Sequence, residues 1–179
     1  MGRQARPGAA GFYHVAARGQ ADEGLFRDET DYLRFEAEVR SVHAGGAVRC
    51  LAACALTTHY HLLLKTDDGA LAPAMQRLNQ RYARAFNARY ERRGHAFAGR
   101  YLCVPVLSDE HLLTAYRYLA RNPVEAGLCT RPDEWIWSSY PVAIGREGRF
   151  AFVDASFMVR CFDGSLAALR QFVESESGA

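Results

Sequence analysis

Short strand-like runs recur along the first two thirds of the chain. Apolar, β-branched and aromatic residues fill Gly11 to Arg18, Ala47 to Leu56 and Thr58 to Lys65, and such runs predict β-strands. One residue separates the second run from the third, so we expect them to pair as adjacent antiparallel strands. A fourth strand is predicted from Arg100 to Leu107, where Pro105 favours the edge of a sheet.

Helical patterns lie between and after these strands. The first begins at the N-cap Asp28 and reaches about His43. The second, from about Leu71 to Glu91, has one apolar face and one arginine-bearing face. The third begins after Ser108 and is expected to end at Asn122-Pro123. The order predicts an α+β, ferredoxin-like split β-α-β fold, an antiparallel sheet with helices on one face.

The length of 179 residues suits one domain of ordinary size. We predict a domain over residues 9–145. Residues 146–179 are predicted to form a C-terminal extension packed on the core, a helical appendage with an amphipathic segment around Leu166 to Phe172.

The composition excludes several classes of protein. No apolar run is long enough to span a bilayer, and Met1 to Ala10 lacks the apolar stretch of a signal peptide. The five cysteines are odd in number and show no paired C-x-x-C spacing, which argues against a disulfide framework and a four-cysteine zinc site. We therefore expect a cytoplasmic protein with free thiols and no membrane partner.

Positive charge is concentrated in the second predicted helix and the loop after it. Seven arginines and one acid lie between Arg77 and Arg100, interleaved with Tyr82, Phe86 and Tyr90. Such a patch suits a polyanion with stackable bases. A helix face that is simply exposed to solvent would show the same charge pattern. The pattern alone therefore does not distinguish such a face from a nucleic-acid-binding surface.

Two histidines alternate along the third predicted strand. Because side chains alternate across a strand, His59 and His61 point to one side and Tyr60 to the other. Two imidazoles at this spacing can form one edge of a metal site. The motif is weak by itself, since histidines on a polar face often have no such role.

The third predicted helix carries a tyrosine and an asparagine one turn apart. Tyr118 and Asn122 are at i and i+4, so a phenol and an amide oxygen can approach the same point. The alternative is a packing tyrosine and an asparagine that ends the helix before Pro123. Tyr116 is a second candidate nucleophile, but it should lie on a different helix face.

Taken in order, these segments resemble the single-tyrosine HUH (IS200-like) transposases, and among them the REP-associated tyrosine transposases. The similarity extends from about Gly11 to Gly145. It rests on the following segments: Tyr13-His14-Val15 with Arg18-Gly19; His59-Tyr60-His61-Leu62-Leu63; Arg81-Tyr82 to Tyr90; Gly94-His95 with Gly99-Arg100-Tyr101; Tyr118 to Gly127; and Trp137-Ser138-Ser139-Tyr140. The chain departs from the family at Thr57-Thr58, where an Asn or Glu usually precedes the first histidine, and at Tyr60, where an aliphatic residue is usual.

The resemblance implies a DNA-processing enzyme. His59, His61 and Asn122 would hold Mg²⁺ or Mn²⁺, and Tyr118 would attack a DNA phosphodiester to form a 5′-phosphotyrosine. Single-stranded or hairpin DNA would be the partner, the protein would be a nucleoid-associated monomer or homodimer, and no nucleotide cofactor is needed. The residues expected to contact DNA are Lys65, Arg77, Arg81, Arg84 and Arg100.

Other functions fit parts of the same sequence. A ferredoxin-like sheet with aromatics and a basic helix also describes RNA-recognition domains, although no RNP-type run is present. A domesticated relative could bind hairpins without cleaving them. A metal-dependent hydrolase would use water and would not need Tyr118. A zinc deaminase is excluded, because the chain has neither H-x-E nor P-C-x-x-C.

Overall fold

A computed structural model describes residues 8–20 and 24–175 of the chain. Residues 1–7 and 176–179 lie outside that range, and with them most of the segment predicted to lack a signal peptide and the end of the predicted extension. Four strands form the sheet: β1 (Gly11–Arg18), β2 (Val48–Ala55), β3 (His59–Thr66) and β4 (Leu102–Val106). The helices are α1 (Glu29–Ala44), α2 (Leu71–Arg89), α3 (Asp109–Glu125), α4 (Tyr140–Ala143), α5 (Ala155–Arg160) and α6 (Leu166–Glu174), with a 3₁₀ turn at Pro132–Glu134.

The sheet has the strand order β2-β3-β1-β4, and every neighbouring pair is antiparallel. β3 therefore lies between β2 and β1, the two strands that α1 connects. This is the ferredoxin-like arrangement predicted from the order of the elements. β4 is an edge strand, as Pro105 indicated.

Two core clusters cover the two faces of the sheet. Tyr60, Leu62 and Leu64 of β3 pack with the apolar faces of α1 and α2. Leu63, which points the other way, packs with α3 and the C-terminal helices. Thus α1 and α2 share one face, while α3 and the appendage occupy the other, so the prediction that the helices lie on one face was wrong. Helices on both faces are amphipathic, and their patterns do not show which face of the sheet each one covers. The alternation along β3 decides which face each histidine meets.

Helix α3 continues past the point at which the sequence predicted its end. Pro123 lies inside the helix, which extends to Glu125. A proline in the last turn removes only one backbone hydrogen-bond donor. The loss of this one bond is not enough to end the helix at once. The chain turns at Gly127, where φ is +69°, and the Leu128 N–H donates to the Pro123 carbonyl at 2.9 Å. This hydrogen bond is typical of a Schellman motif.

The C-terminal segment packs against α3 rather than extending away from the sheet. Met158, Leu169 and Val173 are fully buried in the cluster that contains α3. Arg121 donates to the Val173 carbonyl at 3.1 Å, so α3 and α6 are also joined by a polar contact. None of the described helices is long and apolar enough to cross a membrane. None of the five cysteines, all of which lie within the described ranges, forms a disulfide bond.

Candidate active site

The two histidines of β3 face the side of the sheet that α3 covers. In the antiparallel register with β1, His61 is opposite Ala16 and His59 is opposite Arg18. Their rings are 5.0 Å apart between centroids. The small side chain of Ala16 leaves space above the histidines, while Arg18 brings a positive charge to the same end of the strand pair.

Helix α3 brings its tyrosine and asparagine to these histidines. Leu112 and Leu119 bury one side of the helix against the sheet, which sets the orientation of the rest. The Tyr118 ring is 5.3 Å from the His61 ring between centroids, in an edge-to-face arrangement. Asn122 is buried, and its side chain lies close enough to His59 to raise the pKa of that ring. The structure therefore brings together the four residues singled out on two distant segments.

These side chains line an open pocket of about 420 Å³. Tyr118 is 42% exposed, so its phenol is accessible to a large substrate. Residues of the segment before β4 also line the pocket. The pocket is lined by Ala16, Ala17, Arg18, His59, His61, Ala98, Gly99, Arg100, Leu102 and Tyr118.

The environment of both histidines favours the neutral ring. Burial lowers the pKa of His61 to about 3, with smaller contributions from His14 and His59. Burial also lowers the pKa of His59; the hydrogen bond with Asn122 opposes this effect and Arg18 adds to it. Neutral imidazoles have a free lone pair, which is the form that binds metal ions.

The donor set fits a divalent cation with mixed nitrogen and oxygen ligands. The Nε2 atom of His61 is buried without a hydrogen-bond partner, which is unusual for a native polar group unless a ligand is bound there. The Nδ1 atom of His59 is 3.0 Å from the Thr58 hydroxyl. Among the described residues no group of three or more His, Cys, Asp or Glu could hold a metal. Asn122, which is buried next to His59, is the candidate third protein ligand.

Thr58 has a clear place in the site, although it departs from the family pattern. Its hydroxyl is the hydrogen-bond partner of His59 Nδ1. Such a contact restricts the rotation of the ring and leaves Nε2 for the pocket. The substitution at this position therefore retains a polar contact to the first histidine.

Two residues of this site were not assigned a role from the sequence. His14 places its Nε2 atom 2.9 Å from His61 Nδ1, and Arg18 lines the pocket beside His59. The alternation of side chains along β1 does predict that His14 and Arg18 lie on the same face of the sheet. Their position next to β3, however, depends on the strand order, which no short segment reveals.

The two tyrosines of α3 have different surroundings. Tyr116 is buried in the core cluster between α3 and the sheet, and its hydroxyl has no hydrogen-bond partner. Burial raises the pKa of that phenol far above its usual value. Tyr118, two positions along, opens onto the pocket. The geometry agrees with the prediction that they lie on different faces.

The predicted DNA-contacting residues are spread over several surfaces. Arg100 lines the pocket. Lys65 is at the far end of β3, with its ammonium 5.4 Å from the Phe12 ring centre. The remaining three are exposed on α2, which packs on the opposite face of the sheet; they are Arg77, Arg81 and Arg84.

Part of the positive charge on α2 is neutralised within the protein. Arg81 is 3.6 Å from Glu38 of α1. Arg89 pairs with Asp28 at 2.5 Å and with the buried Asp31 at 2.8 Å. The net charge available to a polyanion is therefore smaller than the sequence suggested.

A second pocket adjoins the first. It has a volume of about 480 Å³ and shares Ala98, Gly99 and Arg100 with the histidine pocket. Its remaining walls include amide side chains and an aromatic ring, contributed by Gln20, Asn79, Gln80 and Phe97. Arg84 follows Gln80 by one helical turn and therefore lies on the same side of α2.

The segments that form this site lie within the part of the chain that matches a known family. A sequence model of the family described as "Transposase IS200 like" matches residues 10–122, which include β1, both histidines, Tyr118 and Asn122. A comparison with curated protein sequences finds no match.

Among solved structures, the chain is similar to a REP-associated tyrosine transposase bound to a REP hairpin. The TM-score is 0.71 at 13% identity, over 82% of this chain and 87% of that one. A protein from Deinococcus radiodurans described as a transposase is less similar, with a TM-score of 0.46 at 16% identity over 66% of this chain and 93% of that one. The fold is thus shared with a known transposase structure, and the match to the family sequence model covers more than half of the chain. The chain belongs to the IS200-like transposase family.

Proposed function

We propose that this transposase cleaves and rejoins single-stranded DNA next to a hairpin through a covalent bond to Tyr118. The observation that carries the proposal is the position of Tyr118, which lines the same open pocket as His59 and His61. The phenol and the two imidazoles converge there from α3 and β3. A pocket that only bound nucleic acid would not require a phenol next to two imidazoles.

The proposed reaction is an in-line displacement at phosphorus. The Tyr118 phenolic oxygen forms a bond to the phosphorus, and the bond from phosphorus to the 3′-oxygen breaks. The phenol loses its proton to solvent and the 3′-oxygen gains one, leaving a 5′-phosphotyrosine and a free 3′-hydroxyl. Attack by a second 3′-hydroxyl reverses the step and joins a new strand, so no external energy source is required.

His59, His61 and Asn122 would hold Mg²⁺ or Mn²⁺ beside the scissile phosphate. When bound, such an ion polarises a non-bridging phosphate oxygen and lowers the barrier to attack. The unpartnered, buried Nε2 atom of His61 supports this assignment. Asn122, which is buried next to His59, is the candidate oxygen ligand.

The basic residues around the two pockets support single-stranded DNA as the substrate. Arg18 and Arg100 flank the histidine pocket, where they could contact phosphates on either side of the cleaved bond. The neighbouring pocket, with Gln80 and Phe97, could accept a base from the flanking strand. The protein of similar fold was solved with a REP hairpin, which supports a hairpin next to the single-stranded segment.

The first experiment tests for the covalent intermediate. The protein is incubated with a labelled library of hairpin oligonucleotides that carry single-stranded flanks, with Mn²⁺ or Mg²⁺. We expect protein–DNA adducts that resist denaturation and that require Tyr118 and the two histidines. Tyr118→Phe and the double variant His59→Ala/His61→Ala are the test variants. Tyr116→Phe is the matched control, because it removes a tyrosine hydroxyl from the same helix without changing the pocket.

Two other results would contradict the proposed function and indicate a different one. Metal-dependent nicking that persists in Tyr118→Phe would indicate a nuclease that uses water. Salt-sensitive hairpin binding without nicking or adducts would indicate a relative that binds DNA and no longer cleaves it. The trapped oligonucleotides would also identify the preferred sequence.

A further inference from the structure

We infer that His14 is a positioning residue that holds His61 in the tautomer needed to bind the metal ion. The inference rests on the proposed function, because it concerns the side chain behind one of the proposed ligands. His14 lies on β1, opposite Leu63 and diagonal to His61 across the β1–β3 pair. Its Nε2 atom is 2.9 Å from the Nδ1 atom of His61.

The hydrogen bond between the two rings has two possible directions. If His61 Nδ1 donates to His14 Nε2, the proton of His61 is on Nδ1, and its Nε2 has a free lone pair. If His14 Nε2 donates, the proton of His61 is on Nε2. That N–H would then be buried without an acceptor, because His61 Nε2 has no partner in the described structure.

The first direction is favoured on physical grounds. In the first direction the unpaired group at His61 Nε2 is a lone pair, which a bound cation can satisfy, whereas in the second it is an N–H, which a cation cannot satisfy. The first direction also produces the ligand form of the ring, with its lone pair in the pocket. Histidine ligands commonly donate their other ring N–H to an acceptor behind them, and this contact fixes the tautomer and the ring orientation.

The surroundings of His14 hold it in this position. Its ring is 5.1 Å from the His61 ring and 5.8 Å from the Tyr118 ring between centroids. His14 is therefore packed between a proposed ligand and the proposed nucleophile. Thr58 stands in a similar relation to His59, with its hydroxyl 3.0 Å from Nδ1. Each histidine of β3 thus has its own polar partner, one from β1 and one from the turn before β3.

Two substitutions separate positioning from general packing. His14→Phe keeps an aromatic ring but removes the acceptor for His61 Nδ1–H. His14→Gln restores an acceptor, since its amide oxygen can occupy nearly the position of Nε2. Phe12→Leu is the control for packing, because Phe12 lies on the same face of β1 and packs against Phe157 away from the histidines.

The first readout needs no metal. A long-range proton–nitrogen NMR spectrum of the metal-free protein reports which nitrogen of His61 carries the proton. We expect Nδ1–H in the wild type, Phe12→Leu and His14→Gln, and a loss of this preference in His14→Phe. A wild-type His61 protonated on Nε2, or an unchanged tautomer in His14→Phe, would overturn the inference.

The second readout is Mn²⁺ affinity measured by titration calorimetry. We expect His14→Phe to weaken binding by roughly 10- to 100-fold, and His14→Gln to recover most of the loss. Equal affinity in His14→Phe and wild type would refute the positioning role. Adduct formation by the wild type separates the two hypotheses. If adducts form while His61 carries its proton on Nε2, only the role of His14 is rejected. If His61 carries its proton on Nδ1 but the protein neither binds Mn²⁺ nor forms adducts, the proposed function is rejected.

Discussion

The ring of Tyr118 on α3 lies 5.3 Å from the ring of His61 on β3, edge to face. Nothing in the local sequence of either residue requires this contact. It arises because α3 packs on the face of β3 that carries the histidines, through its buried positions such as Leu119. The contact places a phenol next to two neutral imidazoles in an open pocket, which is the arrangement on which the proposed chemistry depends.

Replacement of Tyr116 by phenylalanine should stabilise the protein. The Tyr116 hydroxyl is buried without a partner, so its removal should raise the free energy of unfolding by about 1 kcal/mol. Urea denaturation followed by circular dichroism measures this change. Adduct formation with DNA should be retained. A decrease in stability would show that the hydroxyl has a partner in solution.

Replacement of Thr58 by valine should weaken metal binding while the fold is retained. The change removes the hydroxyl that contacts His59 Nδ1, so the ring loses its fixed orientation. We expect Mn²⁺ affinity to fall by roughly 10-fold. Thr57→Val is the matched control, since the exposed Thr57 contributes its backbone carbonyl to the hydrogen bonds with Leu25 and Phe26. Equal loss in both variants would contradict the assignment.

Two arginines of α2 should differ in their effect on stability. Arg89 pairs with the buried Asp31 at 2.8 Å, so Arg89→Met would leave a buried carboxylate with one fewer partner. We expect Arg89→Met to lower the free energy of unfolding, because the buried Asp31 carboxylate loses its charged partner. Arg77 is exposed and has no ion pair among the described residues, so Arg77→Met should change stability by less than about 0.5 kcal/mol. Thermal or urea unfolding compares the two.

Arg100, which lines the histidine pocket, and the exposed Arg84 of α2 should contribute to the salt dependence of DNA binding. Arg100→Gln and Arg84→Gln should each reduce the slope of log affinity against log salt by about 0.7, the value for one phosphate contact with a single strand. Arg149→Gln is the control, because Arg149 pairs with Glu29 at 3.2 Å on another surface. Fluorescence anisotropy with a labelled hairpin measures the slopes. Unchanged slopes would place the DNA elsewhere.

Asp133 should contribute to the stability of the protein against acid. Its side chain is fully buried and accepts hydrogen bonds from Arg131 at 2.6 and 3.0 Å, and it also pairs with Arg146. The hydrogen bond from Arg131 holds the pKa of the Asp133 carboxyl below its usual value, and Arg146 adds to this effect. Its contribution is therefore present above about pH 3.9, the value for an unfolded chain, and is lost as pH falls through the lower folded pKa.

Unfolding experiments with Asp133→Asn test this contribution. The variant should be less stable than the wild type near neutral pH, and the difference should shrink as the pH falls below about 3.9. Glu125→Gln controls for the removal of one negative charge from an exposed position. A difference that stays constant with pH would show that Asp133 acts through packing alone.

Most secondary structure could be predicted from local patterns. The alternation along β3 and the caps at Asp28 and Ser108 placed these elements within one or two residues. The end of α3 was predicted too early, because the rule that proline stops a helix is weaker in the last turn. The prediction of an exposed arginine face on α2 was also correct. The net charge of this face was overestimated, because acidic residues of α1 and its N-cap pair with Arg81 and Arg89.

The sequence by itself determined the order of elements, the family and the residue types available for chemistry. It also determined that His59 and His61 share one side of a strand and that Tyr118 and Asn122 share one side of a helix, because these relations follow from the periods of the two structures. Only the tertiary structure decided that those two sides meet. Strand order and helix packing depend on contacts between distant segments, and these also brought His14 and Arg18 to the site. A hydrogen bond between two strands cannot be inferred from either strand alone.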